Sequence, residues 1–302
     1  MSGNRNDLIA RVRQRLIASA NTSGWGYYAA KSSRIEPTCW ALLALVRTAG
    51  GADTSALAQP HLAFLTQLQG ASGLLVETEP ALANLTVNAV AAITMAALGS
   101  TADAGVLAKL TAALTDLKGV RLQQIDPRQD STLQGWPWVQ ETFSWVEPTA
   151  WCLLALKRAV RRTPTPAAAS RQNEAERLLA NRMCTGGGWN FGNATALGQD
   201  LRAYVPTTAI ALLALQDRRD RPEVQQSLTW LRAERLSEPG TMSLALVSIC
   251  LRRYGVETDD VDERLEDAVA QSEEANNVQA LAMALYALSP ARPGTGDAFH
   301  VA

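Results

Sequence analysis

Histidine is nearly missing from this chain: His61 and His300 are the only two in 302 residues. A zinc centre or a histidine-based nucleophile relay is therefore poorly supplied. The four cysteines, Cys39, Cys152, Cys184 and Cys250, are widely spaced and show no paired metal-ligand spacing. We expect buried free thiols, no disulfides and no metal, as in a reducing, cytoplasmic setting. No excess of charge exists either, because 28 Lys and Arg stand against 29 Asp and Glu. That balance disfavours nucleic acid as a partner. Glycine-rich phosphate loops and nucleophile elbows are absent, and no cofactor is expected. The stretch from Met1 to Ala20 interleaves arginines with apolar residues, unlike a secretory signal. The longest apolar run, Leu85 to Leu98, is too short to span a membrane and carries Thr86, Asn88 and Thr94.

What the chain does have is a repeated phrase. Gly24-Trp25-Gly26-Tyr27 leads to Glu36-Pro37-Thr38-Cys39-Trp40, Gly135-Trp136-Pro137-Trp138 leads to Glu147-Pro148-Thr149-Ala150-Trp151, and Gly188-Trp189-Asn190-Phe191 leads to Val205-Pro206-Thr207. A glycine-aromatic turn, a Pro-Thr helix start and an Ala/Leu run make one supersecondary unit, and its repetition argues for a single domain. Elsewhere the phrase has weakened to Gly73-Leu74, Pro239-Gly240 and Asn276-Asn277.

Two kinds of helix alternate. Amphipathic stripes such as Leu8, Val12 and Leu16, or Val261, Leu265 and Val269, face charged sides. The segments 37–48, 85–98, 148–160, 206–216, 241–254 and 277–288 are apolar nearly all round, so protein or an apolar cavity must surround them. Six such pairs predict an all-α fold, an (α/α)6 toroid over 1–288 with an inner barrel of apolar helices and an outer sleeve; an open solenoid is the rival. Residues 289–302, rich in Pro and Gly, read as an exposed tail.

Closure would bring all six inner helix starts to one mouth. The residues there form a polar ring: Glu36 and Thr38, Asn84 and Asn88, Glu147 and Thr149, Thr207 and Thr208, Thr241 and Ser243, Asn277 and Gln279. Thr, Ser and Asn are also what helix starts prefer, and Glu before Pro suits a first turn. Val205 is read at the acid's place in the fourth unit. Glu36 and Glu147 are the catalytic candidates, as carboxyl groups kept partly protonated by an apolar cavity. Trp138, Trp145, Trp151 and Trp40, with Asn84, Asn88, Thr149, Thr207 and Asn277, are the ligand-binding candidates. Trp136 recurs with Trp25 and Trp189 at equivalent turns and reads as a wedge between hairpins.

These Gly-Trp turns and Thr-Ala-x-x-x-Leu helices resemble the repeats of the squalene and terpenoid cyclases and of the protein prenyltransferase β subunits. In class II terpenoid cyclases an Asp-x-Asp-Asp-Thr-Ala stretch opens an inner helix and holds the proton donor. Matching its Thr-Ala to Thr149-Ala150 puts Trp145, Glu147 and Pro148 on the three aspartates, so only the middle, proton-donating place keeps a carboxyl group. The prenyltransferase zinc histidine would fall just before Thr38-Cys39-Trp40, where this chain has Pro37. The resemblance implies a toroid that holds an apolar, isoprenoid-like small molecule, with acid-initiated cyclisation or isomerisation by Glu147 as its extension. Two other readings stand beside it: a non-catalytic ligand-binding or protein-interaction scaffold, and a carbohydrate-processing barrel using Glu141 and Glu147 as paired carboxylates.

Overall fold

The computed structural model describes residues 2–49, 52–77, 82–124, 127–161, 163–290 and 297–301. Among the described residues twelve α-helices alternate between an outer and an inner set. The outer set is α1 (Ser2–Ala18), α3 (Ala52–Gln67), α5 (Ala104–Asp116), α7 (Pro166–Asn181), α9 (Pro222–Glu234) and α11 (Asp259–Glu274). The inner set is α2 (Ile35–Thr48), α4 (Leu85–Leu98), α6 (Val146–Ala159), α8 (Val205–Ala214), α10 (Thr241–Arg253) and α12 (Val278–Leu288). The only strands among the described residues are Thr195–Ala196 and Gln199–Asp200, a small hairpin in the loop before α8.

Each inner helix packs on its two inner neighbours, and α12 packs on α2, so the ring closes. At the mouth the backbone seals the joint between last and first units: Val278 N–H donates to Tyr27 O at 2.9 Å and Ala29 N–H to Asn276 O at 3.1 Å. Helix starts leave N–H groups without intrahelical partners, and here neighbouring units supply them. Leu85 N–H reaches Trp138 O, Val146 N–H reaches Phe191 O, and the carboxylates of Glu77 and Glu238 take Ile35 N–H and Val205 N–H.

The repeated Gly-Trp phrase has a physical cause. The indole N–H groups of Trp25, Trp136 and Trp189 donate to Leu16 O, Leu114 O and Leu179 O near the ends of the preceding outer helices. All three rings are fully buried. The next inner helix then grips the turn: Thr38, Thr149 and Thr208 each accept the tryptophan N–H at 2.9 Å and donate back to its carbonyl. Asn88 does the same to Leu75 in the second unit. The close grip requires glycine, because a Cβ on Gly135 would lie 2.2 Å from Thr149 Oγ1. Thr149→Val, which keeps the shape and leaves the Trp136 N–H buried without a partner, is expected to cost about 1–3 kcal/mol. Urea unfolding should show a lower midpoint at unchanged slope; an unchanged midpoint would contradict the brace.

Outer and inner layers are also tied by charge. Glu176 on α7, fully buried, pairs with Lys157 of α6 at 2.9 Å, and with Arg218 and Arg221 beyond α8 at 2.9 and 2.8 Å. Lys157 itself is buried and also meets Asp217.

One expectation about the chain's end is overturned. Of residues 289–302, those at 291–296 and 302 lie outside the described residues, but Ser289, Ala298 and Phe299 are buried. Phe299 enters the barrel from the ends of the inner helices opposite the mouth, and its ring packs against Trp40, Trp151 and Tyr286 with centroids 5.5, 6.3 and 5.2 Å away. Composition pointed to solvent; one aromatic with an apolar hole to fill outweighs it.

Candidate functional site

The threonine and asparagine braces fix a common register for the inner helices. Counting from them, the place of Glu36 and Glu147 is held by Thr86 in α4 and by Pro206 in α8, so Pro206, not Val205, corresponds to the acids. Residues four apart share a helix face, and the face that begins at the acids lines a cavity of about 430 Å³. Its upper layer contains Glu36, Glu147, Pro206, Met242 and Gln279, and its lower layer Trp40, Trp151, Ile210, Leu246 and Met283. The equivalent α4 residues, Thr86 and Val90, do not reach it. An outer recess of about 800 Å³ walled by Tyr27, Tyr28, Lys31 and Arg34 shares Glu36, Met242, Asn277 and Gln279 with the cavity and forms its approach.

Both acids stand at the start of an inner helix, where the aligned peptide dipoles favour negative charge, yet the apolar wall works against it. Burial pushes the Glu147 carboxyl up, the Glu36 carboxylate adds to the push, and a hydrogen bond from Trp138 pulls partly back, leaving it raised from 4.5 to about 7. Glu36 is also raised, by burial foremost and by Glu77, while hydrogen bonds from Tyr27 and Gln279 favour its charged form. The Tyr27 hydroxyl donates to Glu36 Oε2 at 2.9 Å. Both carboxyl groups of this apolar chamber are thereby inclined toward the neutral acid, Glu36 against two hydrogen bonds that favour its charged form.

Of the residues singled out in the sequence, Glu36, Glu147, Trp40, Trp151, Thr207 and Asn277 line the cavity together. Asn277 also caps α12 by accepting from Ala280 N–H. Trp138 and Trp145 stack on each other at 4.6 Å beside the mouth, and touch the cavity through Phe191, 6.3 Å from Trp138, and through the Trp138 bond to Glu147. Asn84, Asn88 and Thr149 lie elsewhere. Asn84 caps α4 through Val87 N–H, and the hydrogen-bonding groups of Asn88 and Thr149 are spent on the turn braces. Glu141 is exposed in a loop with φ of 65° and is not among the residues that line the cavity.

Sequence reasoning missed Tyr27, which donates to Glu36, and the apolar wall of Phe191, Ile210, Leu246 and Met283. Ile210, Leu246 and Met283 were findable, each standing where Trp40 and Trp151 stand in their own helices. Among the described residues no group of three or more His, Cys, Asp or Glu is placed to hold a metal ion. No described helix is long and apolar enough to cross a membrane.

No protein-family model and no curated relative matches the sequence. Solved structures do match in fold. The type II terpene cyclase MstE from Scytonema superposes with a TM-score of 0.62 at 14% identity, covering 96% of this chain and 99% of that one. An α-amylase from Clostridium perfringens reaches 0.62 at 10% identity, covering 92% and 97%. A protein from Actinoplanes reaches 0.57 at 11% identity, covering 94% and 98%. At such identities the likeness is one of fold, and a fold hosts many reactions. The chain is thus a helical α/α toroid similar in fold to the type II terpene cyclases.

Proposed function

We propose that this toroid binds an isoprenoid-like molecule in its central cavity and rearranges it by acid-initiated cyclisation or isomerisation, with Glu147 as the proton donor. The observation that carries this reading is a carboxyl group raised to about 7 inside a cavity whose deeper wall is two indoles and aliphatic side chains. Such a wall takes apolar chains. MstE, whose fold this chain shares, has been solved with geranylgeranyl dihydroxybenzoate as its substrate, at a TM-score of 0.58 and 14% identity over 97% and 99% of the two chains.

The chemistry asked of the site is a proton transfer without redox change. Glu147 O–H gives its proton to one carbon of an alkene, the π bond supplies the electron pair of the new C–H bond, and the adjacent carbon becomes cationic. A second alkene of the same chain closes a ring onto that carbon, or none does. Loss of a proton from a neighbouring carbon to the Glu147 carboxylate that gave one restores a double bond and conserves every atom. Trp40 and Trp151, which both line the cavity, supply π density near the cation.

Because the acid form of Glu147 is the working form, the rate is expected to fall as pH rises through about 7. Incubation with farnesyl and geranylgeranyl compounds in deuterium oxide tests the reading. An isomeric product carrying a deuterium on carbon is expected. Recovery of every compound unchanged, by folded protein that does not bind them, would refute it.

A further inference from the structure

The floor of the cavity is backed by a residue from outside the repeat. Trp40 and Trp151 form its lower wall, at 6.2 Å from each other in an edge-to-face arrangement, and the ring that wedges against both comes from the chain's end. We propose that Phe299 is a specificity-determining residue: the segment 297–301 is a stopper that sets how long an apolar chain the cavity admits. The inference rests on the isoprenoid reading of the same cavity.

The stopper is held by contacts that only this segment explains. Asp297 accepts from the Tyr286 hydroxyl at 3.0 Å and faces Arg253 at 3.4 Å and Arg47 at 3.9 Å, drawing together the far ends of α12, α10 and α2. Gln216, just beyond α8, donates to Phe299 O at 2.7 Å, and Arg158 of α6 donates to His300 O at 3.4 Å. Four of the six inner helices, and the turn that follows a fifth, therefore hold the segment in place. Asp297 Oδ1 also accepts Phe299 N–H at 2.9 Å, fixing the turn that points the ring inward. Phe299 has no exposed surface. A ring placed in this way holds from behind the two indoles that line the cavity, so a chain entering past Glu36 and Glu147 stops at the indoles that Phe299 keeps in place.

The test is a binding series with geraniol, farnesol and geranylgeraniol, measured by calorimetry on the full chain and on Phe299→Ala. Removing the ring is expected to shift the ratio of affinities, longer over shorter alcohol, at least about tenfold toward the longer, as one more isoprene unit finds apolar surface. Phe299→Leu, a milder change that keeps the end closed, should shift it in the same direction by about threefold, and it stands in if the alanine variant does not fold. An unchanged ratio in the folded variants, with the wild type binding these alcohols, overturns the stopper alone. Wild-type protein that binds none of the three overturns the isoprenoid reading and the stopper with it.

Discussion

Glu147→Gln is expected to lower turnover of a prenyl substrate by about a hundred- to ten-thousand-fold, the range a positioned general acid supplies, while leaving its binding nearly unchanged. The glutamine keeps the size and the hydrogen-bonding edge toward Trp138 but has no proton to give at the pH where Glu147 is an acid. The same substitution is expected to stabilise the fold in mild alkali. A carboxyl group whose folded value lies above its unfolded one favours the native state fully below the unfolded value, and that contribution is lost as pH rises through about 7. Above that point the native state carries a buried charge that glutamine lacks, a difference on the order of 2 kcal/mol. Rising stability together with collapsing turnover separates a catalytic acid from a structural one. If glutamine instead lowered stability at every pH and left turnover intact, Glu147 would be a helix-start residue and nothing more.

Glu176→Ala is expected to destabilise the protein by about 3–5 kcal/mol, because it removes one of the two carboxylates beside the buried Lys157 ammonium and leaves it Asp217 and the Ala214 carbonyl. Burial alone would raise the Glu176 carboxyl, but hydrogen bonds from Arg218 and Lys157 and their charges outweigh it and hold it below the ordinary carboxylate range. Its contribution is therefore present above the unfolded value and lost as pH falls through the folded one, which makes the wild type more acid-sensitive than a variant lacking the cluster. Replacing Lys157 by Met and Glu176 by Leu together should recover most of the loss, since removing both partners leaves no uncompensated charge. A double variant as unstable as Glu176→Ala would place the effect in packing. The cluster matters to the site because it fastens α7 to the inner helix that carries Glu147.

Much of this was legible in the residues. Glycine, tryptophan and a Pro-Thr helix start recur because each unit must solve the same problem, an indole wedged under the preceding outer helix and gripped by the next inner one. The two acids were legible too, standing one residue before proline in two units, and so were Trp40 and Trp151, four residues further along the same face. Thr149 and Asn88 were misread because their partners lie in turns thirteen residues earlier, and a polar residue at a helix start does not reveal which backbone it serves. Val205 was matched to the acids by its place before proline, whereas the brace made by Thr208 moves the register by one. Phe299 was hidden by its neighbours: proline and glycine around it suggest solvent, and only the closed barrel shows the hole that a single phenyl ring fills.

The central claim is a neutral carboxylic acid held in an apolar chamber, and infrared difference spectroscopy across a pH titration reads it directly. A protonated-carboxyl stretch with a midpoint of about 7, absent from Glu147→Gln, is the result expected. Loss of every such band in the ordinary carboxylate range, with the two proteins giving the same titration, would contradict it.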